Sequence, residues 1–318
     1  MAKRHILFID PLEKLVFKKD STLMFALTLK EQGEEVYLLF EEDFYFSNIE
    51  KESMKAYSFS GSFEEDGCYL ASFEKGEARD LTLGDQDIIH MRIDPPFDTR
   101  YLRYLWMLKS LKRHGVEIMN SAEGVVLHNE KLYAYENKNG AESFVGSSLA
   151  KFIEFSEKMR EKGNKSLILK PLDLYQGIGV EKISMEENLE KAFLRKVEEF
   201  SGPVVVQPFV EKVTEGEIRS IYFAGKELGS ILKVPPKGEY LANIAQGATY
   251  ASVELSDHQR QMCEEICTDL KRDGVDWIAF DILGDHVSEV NITCPGLLVE
   301  VSKALGRNLA KDIIALID

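Results

Sequence analysis

At 318 residues the chain is too long for one simple core and points to two or three domains. It is 44% hydrophobic and 29% charged, the composition of an ordinary globular protein, and no apolar run approaches the ~20 residues of a membrane span. A formal charge of -15 disfavours nucleic acid and anionic membrane as partners, so a bound nucleotide would need cations gathered locally.

The start, "MAKRHILFIDP", has too short an apolar part for a signal peptide and reads as a first β-strand. "HILFI", "DSTLMFALTLKEQG" and "EVYLLF" then read as strand, helix, strand, with Ser21 as N-cap and Gly33 as the stop. "DIIHMR" is a further strand, followed by a proline break and an amphipathic helix; "VEIMN" closes a parallel α/β unit near Asn120. Residues 122–203 change character: two short helical stretches, a longer helix, two strands around a Gly-bearing turn in "SLILKPLDLYQGIGVEKI", and a helix at 186–199. The last part, from 204, holds "PVVVQPFV", the hairpin "IRSIYFAGKELGSILKV", a helix at 256–272 and the pair "WIAFDILGDHVSEVNIT", which predicts an antiparallel sheet. The division expected is therefore 1–121, 122–203 and 204–318. Four cysteines give no disulfide framework and suit a reducing cytoplasm; Cys263 and Cys267, one helical turn apart with only His258 nearby, read as core rather than zinc ligands.

Four stretches carry residue types suited to chemistry. In the last hairpin, Glu289 and Asn291 share a face, and the loop decides whether Asp281 joins them. A two-residue Gly284-Asp285 loop would put Asp281 and Glu289 on opposite faces, whereas a three-residue loop through His286, with a bulge, would set them against each other. The second is expected, because three oxygen donors then converge as Mg²⁺ beside phosphates requires; the alternative is a solvated polar face. Lys170 ends a strand before a turn containing Gly177 and Gly179, where backbone N–H groups can approach phosphate, although an ordinary hairpin has the same pattern. "VVVQPFV" supplies an extended segment able to bond an adenine edge. Arg219 beyond it can bind phosphate or carboxylate, or form a surface ion pair with Glu217 or Glu215. Arg92 and Asp94 sit at the C-terminal end of a strand, where open α/β sheets bind ligands and where the pair would suit an amino-acid-like group; the alternative is a helix-capping loop with Asp98 as N-cap.

Taken in order, "DPLEKLVFKKDST", "MRIDPPFDTRYL", "NEKLYAYE", "LILKPLD" and "GDHVSEVNITCP" resemble bacterial glutathione synthetase of the ATP-grasp superfamily, over essentially the whole chain. The resemblance implies an ATP-grasp fold: an N-terminal α/β domain with a parallel sheet, a small central lid domain, and a C-terminal domain with an antiparallel sheet. It implies that Lys131 and Lys170 contact the phosphates of ATP and that Gln207, Phe209 and Val210 form the adenine hinge. Asp281, Glu289 and Asn291 would carry two Mg²⁺ ions, with Mn²⁺ as a stand-in. The implied reaction joins γ-glutamylcysteine to glycine through an acyl phosphate. Arg219 and Asn243 would act in catalysis, and Arg92, Asp94, Cys294 and Gly296 would lie by the substrates, a dipeptide and an amino acid. A homo-oligomer built through the N-terminal domain and a cytoplasmic location are also implied.

The chain departs from the family pattern in places. Gln176 stands where the glycine-rich turn has a glycine, and "KGEYLANIAQG" has Leu241 where an arginine is expected, which leaves open whether another cation, such as Lys233 or Lys237, compensates. "TCPG" puts Cys294 and Gly296 in place of two hydroxyl donors. These changes leave open a paralogous ligase with another acid or amine, and, from a different class, a non-catalytic nucleotide-binding protein.

Overall fold

The computed structural model describes residues 3–49, 53–138, 140–175 and 177–317, so the turn position Gln176 lies outside the described residues. The first domain contains β1 (Arg4–Ile9), α1 (Ser21–Glu31), β2 (Glu35–Leu39), β3 (Ser53–Phe63), β4 (Leu70–Thr82), β5 (Asp87–Arg92), α2 (Thr99–Leu111) and β6 (Glu117–Met119). They form a six-stranded sheet in the order β4-β3-β2-β1-β5-β6. The four strands β2-β1-β5-β6 run parallel, and β3 and β4 are antiparallel additions. "HILFI" and "DIIHMR" are buried on both faces, which is why they read as unbroken apolar runs. Helix α1 is buried from Ser21 to Leu29, between the sheet and the C-terminal helices.

Two expectations for this domain are corrected. The N-cap of α1 is Asp20, whose Oδ1 accepts the N–H groups of Thr22 (2.9 Å) and Leu23 (2.8 Å). Ser21 lies inside the helix, and its hydroxyl accepts the backbone N–H of Leu298. The long β3–β4 hairpin was not expected at all: β4 is exposed along most of its length and so shows no alternation.

Helices α3 (Ala122–Leu127) and α4 (Glu130–Glu136) lead to the lid: β7 (Phe144–Gly146), α5 (Leu149–Glu161), β8 (Ser166–Lys170), β9 (Glu181–Ser184), α6 (Leu189–Glu199) and β10 (Val204–Pro208). Its antiparallel sheet has the order β7-β10-β8-β9. One face, including Leu167, Leu169, Val204 and Val206, packs on α5 and α6, where the Phe152 and Phe193 rings stack at 4.2 Å. The alternate residues Ile168, Lys170 and Gln207 therefore face the cleft. Because β10 belongs to this sheet, we propose that the lid ends near Pro208.

The last part contains β11 (Glu217–Phe223), β12 (Lys226–Val234), β13 (Thr249–Ser252), α7 (Asp257–Arg272), β14 (Trp277–Leu283), β15 (His286–Asn291), α8 (Leu298–Leu305) and α9 (Ala310–Ile314). Its antiparallel sheet has the order β13-β12-β11-β14-β15. Helix α7, started by a Ser256–Gln259 capping box, buries Cys263 and Cys267 in apolar core against one face. On the other face, Ile221, Phe223, Trp277 and Ala279 join the core around α1. Residues further along that same face, Glu217, Arg219 and Asp281, emerge into the cleft. One packed core thus fixes the first domain against the charged end of the C-terminal sheet.

Candidate active site

Lid, C-terminal sheet and first domain together line a cleft of about 590 Å³. The last hairpin sets its chemistry. The β14–β15 register pairs Leu283 with His286 and Ile282 with Val287, then skips to Asp281 with Glu289 and Ala279 with Asn291. Asp281 and Glu289 therefore face each other, as expected, but by a different route. The turn is the two-residue Gly284-Asp285 type, with Gly284 at φ +61, and the extra residue is Ser288 on β15. A bulge inside the ladder restores the alternation that the short turn alone would have broken. The Ser288 hydroxyl lies 3.1 Å from both the Asp281 carbonyl and Glu217 Oε1, which occupies the bulge.

Cations surround these acids. Asp281 Oδ1 pairs with Lys233 Nζ at 2.8 Å, and Oδ2 pairs with Arg219 at 3.0 Å and accepts from Asn291 Nδ2 at 3.1 Å. Burial opposes ionisation of Asp281, but Arg219 and then Lys233 outweigh it and hold the carboxyl below its ordinary pKa. Lys233 also meets Glu217 at 2.9 Å; burial first, then the Asp281 charge, pushes the Glu217 pKa up. Lys131 Nζ sits 2.8 Å from Glu289 Oε1 and donates to the Leu174 carbonyl at 2.6 Å. Burial works against the Lys131 charge, yet Glu289 keeps its pKa raised. Lys170, over the Tyr135 ring, has no ion-pair partner among the described residues; burial lowers its pKa to about 8. Four cations thus converge in a chain of net charge -15, the local concentration that a polyphosphate requires.

The lid turn is anchored from behind. Gly177 and Gly179 have φ +77 and +75, and Lys196 on α6 donates to the Gly179 carbonyl at 3.0 Å. A Cβ at Gly177 would lie 3.2 Å from Leu241 Cδ1, so Leu241 reaches across the cleft mouth to this turn. Gln207 is tied to Ser143 Oγ at 2.8 Å. The backbone N–H of Phe209 is taken by the Ser166 carbonyl at 2.9 Å, so the hinge offers fewer free groups than its sequence suggested. The Phe209 ring packs under Lys182 and edge-on to Tyr240, and with Val210 forms an apolar wall. Asn243 lines the cleft; its side chain accepts the Ala245 N–H.

On the first-domain side, Arg92 donates to Thr22 Oγ1 and to the Pro295 carbonyl, each at 2.9 Å, and stacks on Trp277. Asp94, next to Cys294, has its pKa raised by burial, and burial likewise pushes the Cys294 thiol well up. The segment carrying Cys294 and Gly296 is held by Glu130, whose Oε1 accepts from Ile292 N (2.7 Å), Thr293 N (2.8 Å) and Thr293 Oγ1 (2.8 Å). Asp98 caps α2, as the alternative reading of that loop had it.

Sequence reasoning had Glu217 only as a surface partner for Arg219. The structure instead gives Arg219 to buried Asp281 and Glu217 to Lys233, each pair directly opposite across a ladder. The signal was there in part, since Glu217 and Arg219 share a strand face. Glu130 and Glu300 were missed; both are acids on helices beside the cleft, Glu300 buried and Glu130 half-buried.

Among the described residues no three His, Cys, Asp or Glu side chains converge as a ready metal site. What converges is two carboxylates and an amide on neighbouring ladder positions, the hard-oxygen chemistry a Mg²⁺ ion takes alongside phosphate oxygens, so the residues fit such an ion.

A three-part architecture with a two-sheet cleft of this kind defines an ATP-grasp ligase, an enzyme that forms C–N bonds. In agreement, the chain superposes on the crystal structure of D-cycloserine synthetase DcsG with a TM-score of 0.68 at 14% identity, covering 98% of this chain and 99% of that one. It also superposes on ATP-grasp ligase PsnB complexed with minimal precursor, with a TM-score of 0.60 at 13% identity over 98% and 99%. The description "Prokaryotic glutathione synthetase, ATP-grasp domain" matches residues 130–306, and "Prokaryotic glutathione synthetase, N-terminal domain" matches residues 4–125. The chain belongs to the prokaryotic glutathione synthetase family, whose members use ATP and Mg²⁺. Relatives named glutathione synthetase include those of Parasynechococcus marenigrum strain WH8102, 29% identical over 98% of this chain and 97% of that protein, and Shewanella oneidensis, 26% identical over 93% and 92%. No helix among the described residues is long and apolar enough to cross a membrane.

Proposed function

We propose that the protein joins the free carboxylate of γ-glutamylcysteine to the amine of glycine, using ATP and releasing ADP and phosphate. The observation that carries this reading is the convergence of Asp281, Glu289 and Asn291 with Lys131, Lys170, Lys233 and Arg219 in one cleft. Mg²⁺, as two ions and with Mn²⁺ able to substitute, would supply positive charge against that of the phosphates. Asp281, Glu289 and Asn291 would hold it. Lys131 and Lys170 carry the transferring phosphoryl group, with the Gly177–Gly179 turn over it. Phe209, Val210 and Gln207 wall the adenine. The dipeptide carboxylate becomes an acyl phosphate, and Arg219, with Asn243 nearby, stabilises the tetrahedral oxyanion as the amine attacks. Arg92 holds the Pro295 carbonyl so that Cys294, Gly296 and Asp94 line the dipeptide side. Closure of the lid keeps water from the acyl phosphate.

A second reading has support in three cleft residues: Leu241, Cys294 and Gly296 line the pocket with groups less polar than the family pattern, which suits another acid or amine. The deciding experiment is phosphate release from ATP over a panel of acid and amine pairs, with products identified by mass. Stimulation by γ-glutamylcysteine plus glycine supports the first reading; stimulation only by other pairs supports the second. A homo-oligomer through the first domain and a reducing cytoplasmic setting, which four unpaired thiols suit, are part of the proposal.

A further inference from the structure

Among the described residues, two polar side-chain atoms beside the cleft are buried without a hydrogen-bond partner: Arg219 Nε and Glu300 Oε2. Arg219 has its place in the ion-pair network, but nothing above uses Glu300. It sits in the first turn of α8, 4% exposed, and lines the same cavity as Arg219, Gly296 and Leu297. Leu297, just before the helix, has φ +69, a conformation costly for a branched side chain, so the chain is turned sharply to begin α8 here. A buried carboxyl oxygen with no donor is costly, and a catalytic role, in which a substrate supplies the donor, is one of the reasons such a group is kept.

We infer that Glu300 receives the amino group of the amine substrate and serves as its proton acceptor. This rests on the ligase reading above and deepens it. The amine arrives as an ammonium ion, which has three N–H donors and no lone pair. One proton passes to Glu300 Oε2, leaving a neutral amine and a carboxylic acid. The amine nitrogen then bonds to the acyl carbon, whose carbonyl electron pair moves onto oxygen to give the tetrahedral oxyanion; on collapse the carbon–oxygen bond to phosphate breaks, and phosphate leaves with that electron pair. The second proton goes from nitrogen to the departing phosphate, and Glu300 returns its proton to solvent. The charged and titratable groups around Glu300 are Lys19 and Asp20 from the segment before α1, Arg219 from β11 and Tyr250 from β13. Burial raises the Glu300 pKa, and Lys19 and Arg219 pull it back. A carboxylate whose pKa is raised in this way is a stronger base than an exposed one.

The test compares the full-length enzyme with Glu300→Gln, an isosteric change, using glycine and the acid that supports turnover. Thermal melting with and without ATP establishes that the variant is folded and binds nucleotide. In the variant, KM for the amine should rise at least about tenfold, and kcat/KM for the amine should climb about tenfold per pH unit below the amine pKa, where the native enzyme is nearly flat. Acyl-phosphate formation, followed by isotope scrambling within ATP in the absence of amine, should stay within about threefold of native. Glu300→Asp should restore the flat pH profile at reduced rate. Native-like amine kinetics in Glu300→Gln, or equal losses in acyl-phosphate formation and ligation, overturn the inference while leaving the ligase reading intact. If the native protein joins no acid and amine pair, both fall together.

Discussion

The two sides of the cleft are built on opposite principles. On the proposed phosphate side, between the lid and the last hairpin, every carboxylate named faces a cation: Asp281 with Lys233 and Arg219, Glu289 with Lys131, Glu217 with Lys233. On the proposed acceptor side, around Arg92 and Cys294, the Arg92 bonds run to a hydroxyl and a backbone carbonyl, and burial pushes the Asp94 carboxyl and the Cys294 thiol toward their neutral forms. The first is a balanced charge lattice, in which removing one member leaves another uncompensated. The second is a shaped wall, where changes alter fit more than charge. The lattice is therefore the part to which turnover should be most sensitive, and the wall is where substrate choice should reside.

The largest break in that contrast should come from Glu289→Ala. Phosphate release should fall by about a thousandfold or more, with the melting transition retained, because an oxygen of the proposed Mg²⁺ site is lost and Lys131 loses its Glu289 partner. Near-native turnover would mean that the lattice is not the catalytic side.

The next effect is in pH. Lys170 is lowered by burial to about 8 from an ordinary 10.5, so between those values the unfolded chain holds the extra proton and stability rises with pH. Phosphate needs the ammonium, so ATP affinity should be full below about 8 and fall by up to about tenfold per unit above it. Calorimetry in buffers of different ionisation enthalpy should detect proton uptake on ATP binding near that pH. Lys170→Arg should remove both dependences, and a pH-independent affinity in the native protein would exclude the assignment.

A smaller effect tests the wall. Leu241→Arg should lower KM for the acid substrate about five- to tenfold while KM for ATP changes less than about twofold, if the missing cation limits acid binding. Equal changes in both would place Leu241 on the phosphate side. The smallest is Gly177→Ala, where φ +77 and the 3.2 Å approach of Leu241 predict a loss of about 1 kcal/mol in denaturant unfolding. Gly67→Ala, at φ +68 in open space, is its control for backbone strain alone.

Much of this was legible because the informative signals were local. Apolar runs marked the parallel strands, and alternation put Glu289 and Asn291 on one face. What failed was whatever depended on register or on a neighbouring strand. The reading needed Asp281 opposite Glu289 and assigned the extra residue to the loop; nothing in "LGDHVSEV" distinguishes that from a bulge at Ser288. Lys233 meets Asp281 over the intervening strand β11, a relation that no spacing along the chain encodes. The β3–β4 hairpin escaped because an outer strand wetted on both faces has no period to detect.

The tether from Lys196 to the Gly179 carbonyl has a mechanical corollary. That ammonium, also paired with Glu181 and Glu199, fastens the turn to α6 and to β9; α6 stacks on α5 through Phe152 and Phe193, and β9 joins the same core through Ile183. A turn so fastened cannot flap alone. It has to swing with its whole sheet as a stiff paddle, so the bending must fall in the strands of chain leading into β7 and out of β10.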